Sequence, residues 1–278
     1  MSALVRFSGT GGALGSLRSL RRYLKVAQMQ ATDRFGENGL FLVDYLMRIL
    51  RVTILLALWR VVLDGRGEVS GMTLGAVLTY TLIGQVFSHQ LDVTTRIEDT
   101  LWEGTLAGRF LQPLGIVGNF TAQMFGDWAF TFATFSLPLL FLAPLMGVDP
   151  LPASAIHGAL FLVSLGLAVG VGLAIDFFFG GLASVSGGNV WQIKLLRGAL
   201  MTILSGALIP LQLLPWGLGA VFAWLPFASM ASAPLRIYTG TGDPFFLMAL
   251  QVMWCILLWP LANWMWSAHR EKLAFYGG

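Results

Sequence analysis

The sequence predicts an all-α polytopic membrane protein with six transmembrane helices. Charged residues make up only 11% of the 278-residue chain and hydrophobic residues 56%, whereas a soluble domain carries about 25% charged residues. That surplus cannot be hidden in one soluble core of this size, so the bilayer is the solvent. Apolar stretches recur at the length of about 20 residues needed to cross roughly 30 Å of hydrocarbon as helix. Strand-like alternation is absent, and backbone groups in lipid must then be satisfied within helices.

The six stretches are 40–62, 71–88, 120–146, 159–185, 195–214 and 245–266. They divide the chain into an N-terminal segment (1–39), a transmembrane domain (40–267) and a tail (268–278). Lys and Arg fix the orientation. Arg6, Arg18, Arg21, Arg22, Lys25 and Arg34 precede the first stretch, Arg96 and Arg109 follow the second, Lys194 and Arg197 flank the fifth, and Arg270 and Lys272 lie in the tail. The opposite loops hold Arg60, Arg66 and Arg236. The positive-inside rule therefore places both termini in the cytoplasm, as an even number of spans requires. A cleaved signal peptide is not expected, because no small-residue cleavage site follows the first apolar run.

Within the N-terminal segment, Leu17, Leu20, Leu24 and Ala27 recur at helical spacing among Arg18, Arg21, Arg22 and Lys25. This predicts a basic amphipathic helix over 15–34 lying on the cytoplasmic membrane surface. The apolar stretch 211–233 is interrupted by Pro215 and Pro226. About 11 residues of helix between them reach only about 16 Å, which predicts a re-entrant piece on the outer side, with Trp216 and Trp224 in the aromatic belt. Pro138, Pro144 and Pro210 predict kinks in the third and fifth spans.

The chemistry the sequence lacks narrows its function. A P-loop needs Gly-Lys followed by Ser or Thr, and Lys25, Lys194 and Lys272 follow Leu, Ile and Glu. If ATP drives this protein, another subunit binds it. His89, His157 and His269 have no ligand-spaced partners, Gly-x-Ser-x-Gly is absent, and Cys255 is the one cysteine. No cofactor, metal or nucleic-acid partner is expected. Asp127 and Asp176 fall inside the third and fourth spans. A bare carboxylate there costs about 3 kcal/mol on insertion scales, so both should face protein or a watery cavity. Gly166 and Gly170 form a Gly-x-x-x-Gly that lets another helix approach.

The loop between the second and third spans, 91–117, carries most of the functional signal. Ile97, Leu101, Leu106, Phe110 and Leu111 are compatible with an amphipathic helix, Pro113 would stop it, and Asp92, Glu98, Asp99 and Glu103 place four acids on a side otherwise marked by bases. The apolar face is expected to press into a partner's groove.

Taken together, the pattern resembles the permease subunit of type 2 ABC exporters, in the branch that pairs with a separate ATPase. The resemblance rests on Ile97-Glu98-Asp99, Glu103-Gly104-Thr105-Leu106 and Leu111-Gln112-Pro113; on Gly180-Gly181-Leu182-Ala183; and on Ile209-Pro210-Leu211, Leu214-Pro215, Leu225-Pro226-Phe227, Pro234 to Gly240 and Tyr276-Gly277-Gly278. It implies a connecting helix, six spans, a coupling helix in the 91–117 loop and outer re-entrant helices. It implies ABC ATPase subunits as partners, with a second permease copy or a homologous permease, in the bacterial cytoplasmic membrane and in contact with its lipid. It further implies ATPase coupling through Ile97, Glu98, Leu101, Glu103, Gly104, Arg109 and Pro113. Leu111-Gln112-Pro113 departs from the commoner Leu-Arg-Pro. The alternative is an ion-coupled secondary transporter, which would need binding groups at the midplane of paired halves.

Overall fold

The computed structural model describes residues 13–36, 41–65, 67–106, 115–186 and 189–268, and it is helical apart from one two-stranded hairpin among those residues. Helix α1 (Ala13–Gly36) is followed by α2 (Phe41–Leu63). Strands Glu68–Val69 and Met72–Thr73 pair antiparallel around Ser70 and Gly71, both at positive φ (52° and 80°). That conformation is the one a tight hairpin requires. Thr73 then caps α3 (Leu74–Val86), its hydroxyl accepting from the Ala76 amide at 3.2 Å. Two short helices follow, α4 (Ser88–Leu91) and α5 (Ile97–Trp102).

Helix α6 (Ile116–Thr131) runs on through a π turn (Phe132–Ser136), α7 (Leu137–Leu142) and a 3-10 turn (Ala143–Met146), ending at Gly147 with φ 66°. The two prolines expected to kink this span lie at these irregular turns, Pro138 just after the π turn and Pro144 within the 3-10 turn. Pro138 and Pro144 lack the amide that would continue the ladder, and the helix widens at one and tightens at the other. Helix α8 (Ala155–Val185) and α9 (Val190–Leu204) form the next pair. A 3-10 turn (Leu211–Leu213), α10 (Leu218–Phe222), α11 (Pro226–Met230) and α12 (Ser232–Tyr238) are all far too short to cross hydrocarbon, and α13 (Pro244–Ala268) closes the described chain.

Among the described residues, three helices are long and apolar enough to cross a membrane: Ile116–Met146, Ala155–Val185 and Pro244–Trp266. They match the expected third, fourth and sixth spans to within a few residues. Helix α2 has the length, but it carries Arg48, Arg51 and Arg60. Helix α3 starts three residues later than expected because the hairpin takes up 68–73. The fifth stretch differs most. Its helix begins at Val190 and stops at Leu204, where Gly206 takes φ 76°, so Pro210 lies beyond the helix and kinks nothing. Apolar residues continue past Gly206, which is why composition extended the span.

The core lies in two clusters joined by α8. One gathers α2, α3, α7 and α12 around Tyr80, Leu139, Phe161 and Leu235. The other gathers the α4–α5 loop, α5, α6 and α9 around Ile97, Phe120, Ile175 and Phe177. Helix α2 exposes Leu46, Met47, Leu50, Ile54, Leu58 and Val61, a face suited to lipid.

Helix α1 packs along α6 rather than standing apart. A Cβ on Gly126 would lie 2.2 Å from the Ala27 carbonyl oxygen, and one on Gly118 would meet the Tyr23 ring at 2.7 Å. Only glycine permits that approach. Leu24 remains 61% exposed on the other side.

Candidate functional site

The site starts from α5 and the loop that leads into it. Val93, Ile97, Leu101 and Leu106 are all buried. They are seated on a glycine-bearing face of α8. A Cβ on Gly172 would meet Val93 Cγ2 at 2.5 Å, and one on Gly180 would meet Ile97 Cγ2 at 2.8 Å. The apolar face of this segment therefore packs on its own chain, where the sequence suggested that it would enter a partner. The glycines opposite explain the difference, since they supply a groove within the chain. What α5 leaves outside is Trp102, 67% exposed, and Glu103, with Gly104 at φ 67° turning the chain away.

Charge fixes the same loop from the other side. Arg197 of α9 is 3% exposed. Its guanidinium lies 3.4 Å from the Asp176 carboxylate and 3.8 Å from that of Asp92, and it donates to the Val93 carbonyl. Asp176 in turn accepts from the Thr95 amide at 3.1 Å and from the Thr95 hydroxyl. The carboxylate is thus paired and hydrogen-bonded, as a buried charge must be. Four segments meet here: the α4–α5 loop, α5, α8 and α9. Lys194, one turn before Arg197, pairs with Asp99 of α5 at 2.5 Å.

Glu98 projects between these pairs and is 4% exposed, with its Oε1 atom lacking a hydrogen-bond partner. Burial pushes its carboxyl up to about 7, opposed by the Arg197 guanidinium and reinforced by the Asp176 carboxylate. Glu98 also lines a cleft of about 340 Å³, bounded by α2, α4, α5, α6 and α9. Arg48 enters it from α2, paired with Asp44 at 2.9 Å, 2.9 Å from His89 Nε2, and 5.4 Å from the centre of the Phe135 ring.

Asp127, expected to face protein or water, lies in this cleft and accepts from Gln30 of α1 at 3.2 Å. Asp176 lies away from it in the Arg197 cluster. A Cβ on Gly170 would lie 3.2 Å from Cys255 Sγ of α13, but one on Gly166 would meet nothing within 4 Å. Within the chain, then, the expected Gly166–Gly170 face is approached only at Gly170, and the closest approaches on α8 fall at Gly172, Gly180 and Gly181. Arg109 and Pro113 lie outside the described residues.

Sequence reasoning treated Arg197 and Lys194 only as markers of membrane side, and it overlooked Arg48 and Trp102. A signal for the first was available: Asp176 and Arg197 stand at similar distances on either side of the α8–α9 turn, so an antiparallel helix pair brings them level. Among the described residues no three His, Cys, Asp or Glu converge as metal ligands.

The profile of a family described as ABC-2 family transporter protein matches residues 49–276 of the chain. Comparison with curated proteins finds no match.

Proposed function

The chain belongs to the ABC-2 transporter family, a family of membrane transport subunits, and from that premise we propose that it is the permease of an exporter whose ATPase is a separate chain. It crosses the membrane six times, by α2, α3 with α4, α6 with α7, α8, α9 and α13. Both termini and α5 face the cytoplasm, as the distribution of Lys and Arg favours, and the membrane is the bacterial cytoplasmic membrane. A second copy or a homologous permease completes the path.

The observation that carries this reading is the double attachment of α5. Ile97 sits against Gly180 of α8, and Arg197 of α9 holds the loop that leads into α5. A force applied at the exposed Trp102 and Glu103 would therefore move α8 and α9 with it. ATP binding would draw two ATPase subunits together, and α5 would carry that displacement into the spans. Coupling of this kind needs a discrete element that both sites bias, and α5 with its Arg197 anchor is that element. Ile97, Glu98 and Leu101 then position the coupling helix, while Trp102, Glu103 and Gly104 meet the ATPase. No observation specifically favours the ion-coupled alternative, because Asp176 is held by Arg197 and Thr95.

The test is affinity purification of the tagged chain from its native membrane. An ATPase carrying a P-loop should accompany it, and Glu103→Arg should reduce the recovered ATPase or its stimulation at least several-fold. Full recovery and full stimulation in that variant would remove α5 as the contact.

A further inference from the structure

We propose that the cleft beside α5 binds a phosphate ester that also carries an ammonium group, the headgroup chemistry of a zwitterionic phospholipid, and that its occupancy is felt by α5. The proposal names a ligand class for the permease reading and rests on it only for the consequence in ATP hydrolysis.

The cleft has the size of a ligand pocket, which falls at about 300–1,000 Å³. Both signs of charge line it, carried by five elements: Arg48, Arg96 and Lys194 on one account, Asp44, Glu98, Asp99 and Asp127 on the other. Most of these groups are already engaged with one another. Two are not. The Arg96 guanidinium has neither an ion-pair nor a hydrogen-bond partner among the described residues, and it lines the cleft from an exposed position. Glu98, buried and two residues further on, has an oxygen without a partner. A planar guanidinium is suited to a phosphate monoanion through paired hydrogen bonds. A buried carboxylate oxygen without a donor favours an ammonium. An occupant bearing both groups satisfies both residues at once, and a purely anionic occupant leaves Glu98 uncompensated.

Aromatic side chains at Trp128, Phe130 and Phe135 complete the walls. Helix α2, which supplies Asp44 and Arg48 to the cleft, exposes Leu46, Met47 and Leu50 beside them, an apolar surface that an acyl chain would cover. Since Arg96 and Glu98 flank the first residue of α5, a ligand held by them bears directly on the helix proposed to meet the ATPase.

The experiment measures binding by calorimetry to the full chain in maltoside detergent, together with any ATPase that purifies with it. The probes are dihexanoyl-phosphatidylethanolamine, dihexanoyl-phosphatidylglycerol and free phosphoethanolamine. The ethanolamine lipid should bind at least tenfold more tightly than the glycerol lipid. Arg96→Gln should weaken it about tenfold, and Thr134→Trp, which fills the cleft from the π turn after α6, should abolish it while the melting temperature stays near that of the parent. Equal binding of free phosphoethanolamine would keep the headgroup chemistry and assign the site to a soluble zwitterion. Equal affinity for the two lipids, or ethanolamine-lipid binding indifferent to both variants, would overturn the proposal. Binding is read without nucleotide, so ATPase coupling with no lipid binding defeats this inference alone. Lipid binding with no associated ATPase defeats only the permease reading.

Discussion

The Arg197 guanidinium lies 3.4 Å from the Asp176 carboxylate, with both side chains at most 4% exposed, and it also donates to the Val93 carbonyl in the loop before α5. One arginine thereby joins α9, α8 and the approach to α5. Replacing it by methionine leaves Asp176 buried without its counter-charge, a change that costs about 3–5 kcal/mol. Arg197→Met should lower the melting temperature of the purified protein sharply. The double variant with Asp176→Leu should recover much of the loss, since replacing both charges by apolar groups is often close to neutral. A double variant as unstable as the single one would show that the pair is not the source.

The glycines of α8 and α6 give a second contrast. Gly180→Ala places a methyl against Ile97 at 2.8 Å, and Gly126→Ala places one 2.2 Å from the Ala27 carbonyl. Each should destabilise by about 1–3 kcal/mol or more. The second should also release α1 from α6, read as faster proteolysis within 21–32. Gly166→Ala meets nothing and removes a flexible residue from a helix, so it should be neutral or stabilising by up to about 1 kcal/mol. Thermal melting of the three variants orders them.

Glu98 carries a pH dependence. Its carboxyl is raised from 4.5 to about 7 by burial, with Arg197 and Lys194 opposing and Asp176 and Asp99 reinforcing. The native state therefore holds the proton more tightly than the unfolded chain does. Stability from this group is complete below about pH 4.5 and is lost as pH rises towards and through 7. Glu98→Gln should accordingly melt higher than the parent at pH 8, with the advantage shrinking at pH 6. A constant difference between the two pH values would show that the carboxyl does not titrate there.

The outward residues of α5 make the docking prediction. Trp102→Ala removes a side chain that is 67% exposed and touches little of its own chain. It should leave melting unchanged while lowering ATPase stimulation several-fold. Loss of both together would mean that Trp102 supports the fold instead.

How much of this was legible in the sequence differs by element. The helices expected as the third, fourth and sixth spans were readable because apolar length alone marks them. The end of the fifth was not, because Gly206 breaks the helix inside an uninterrupted apolar run. The acidic and apolar character of 92–106 pointed to a special segment, but the direction of its apolar face depends on Gly172 and Gly180, some 80 residues away in sequence. Asp176 was visible as an acid inside an expected span, and its partner was hidden because a basic residue near the end of such a stretch also reads as a topology marker. Trp102 stood out only once its neighbours Ile97 and Leu101 were seen to be buried.

The most direct measurement is ATP hydrolysis by proteoliposomes holding the chain alone, compared with the chain reconstituted with its copurified ATPase. Background hydrolysis is expected in the first and vanadate-sensitive hydrolysis in the second, reduced when Glu103 is replaced by arginine. Sustained hydrolysis or ATP-driven transport by the chain alone would contradict the permease reading.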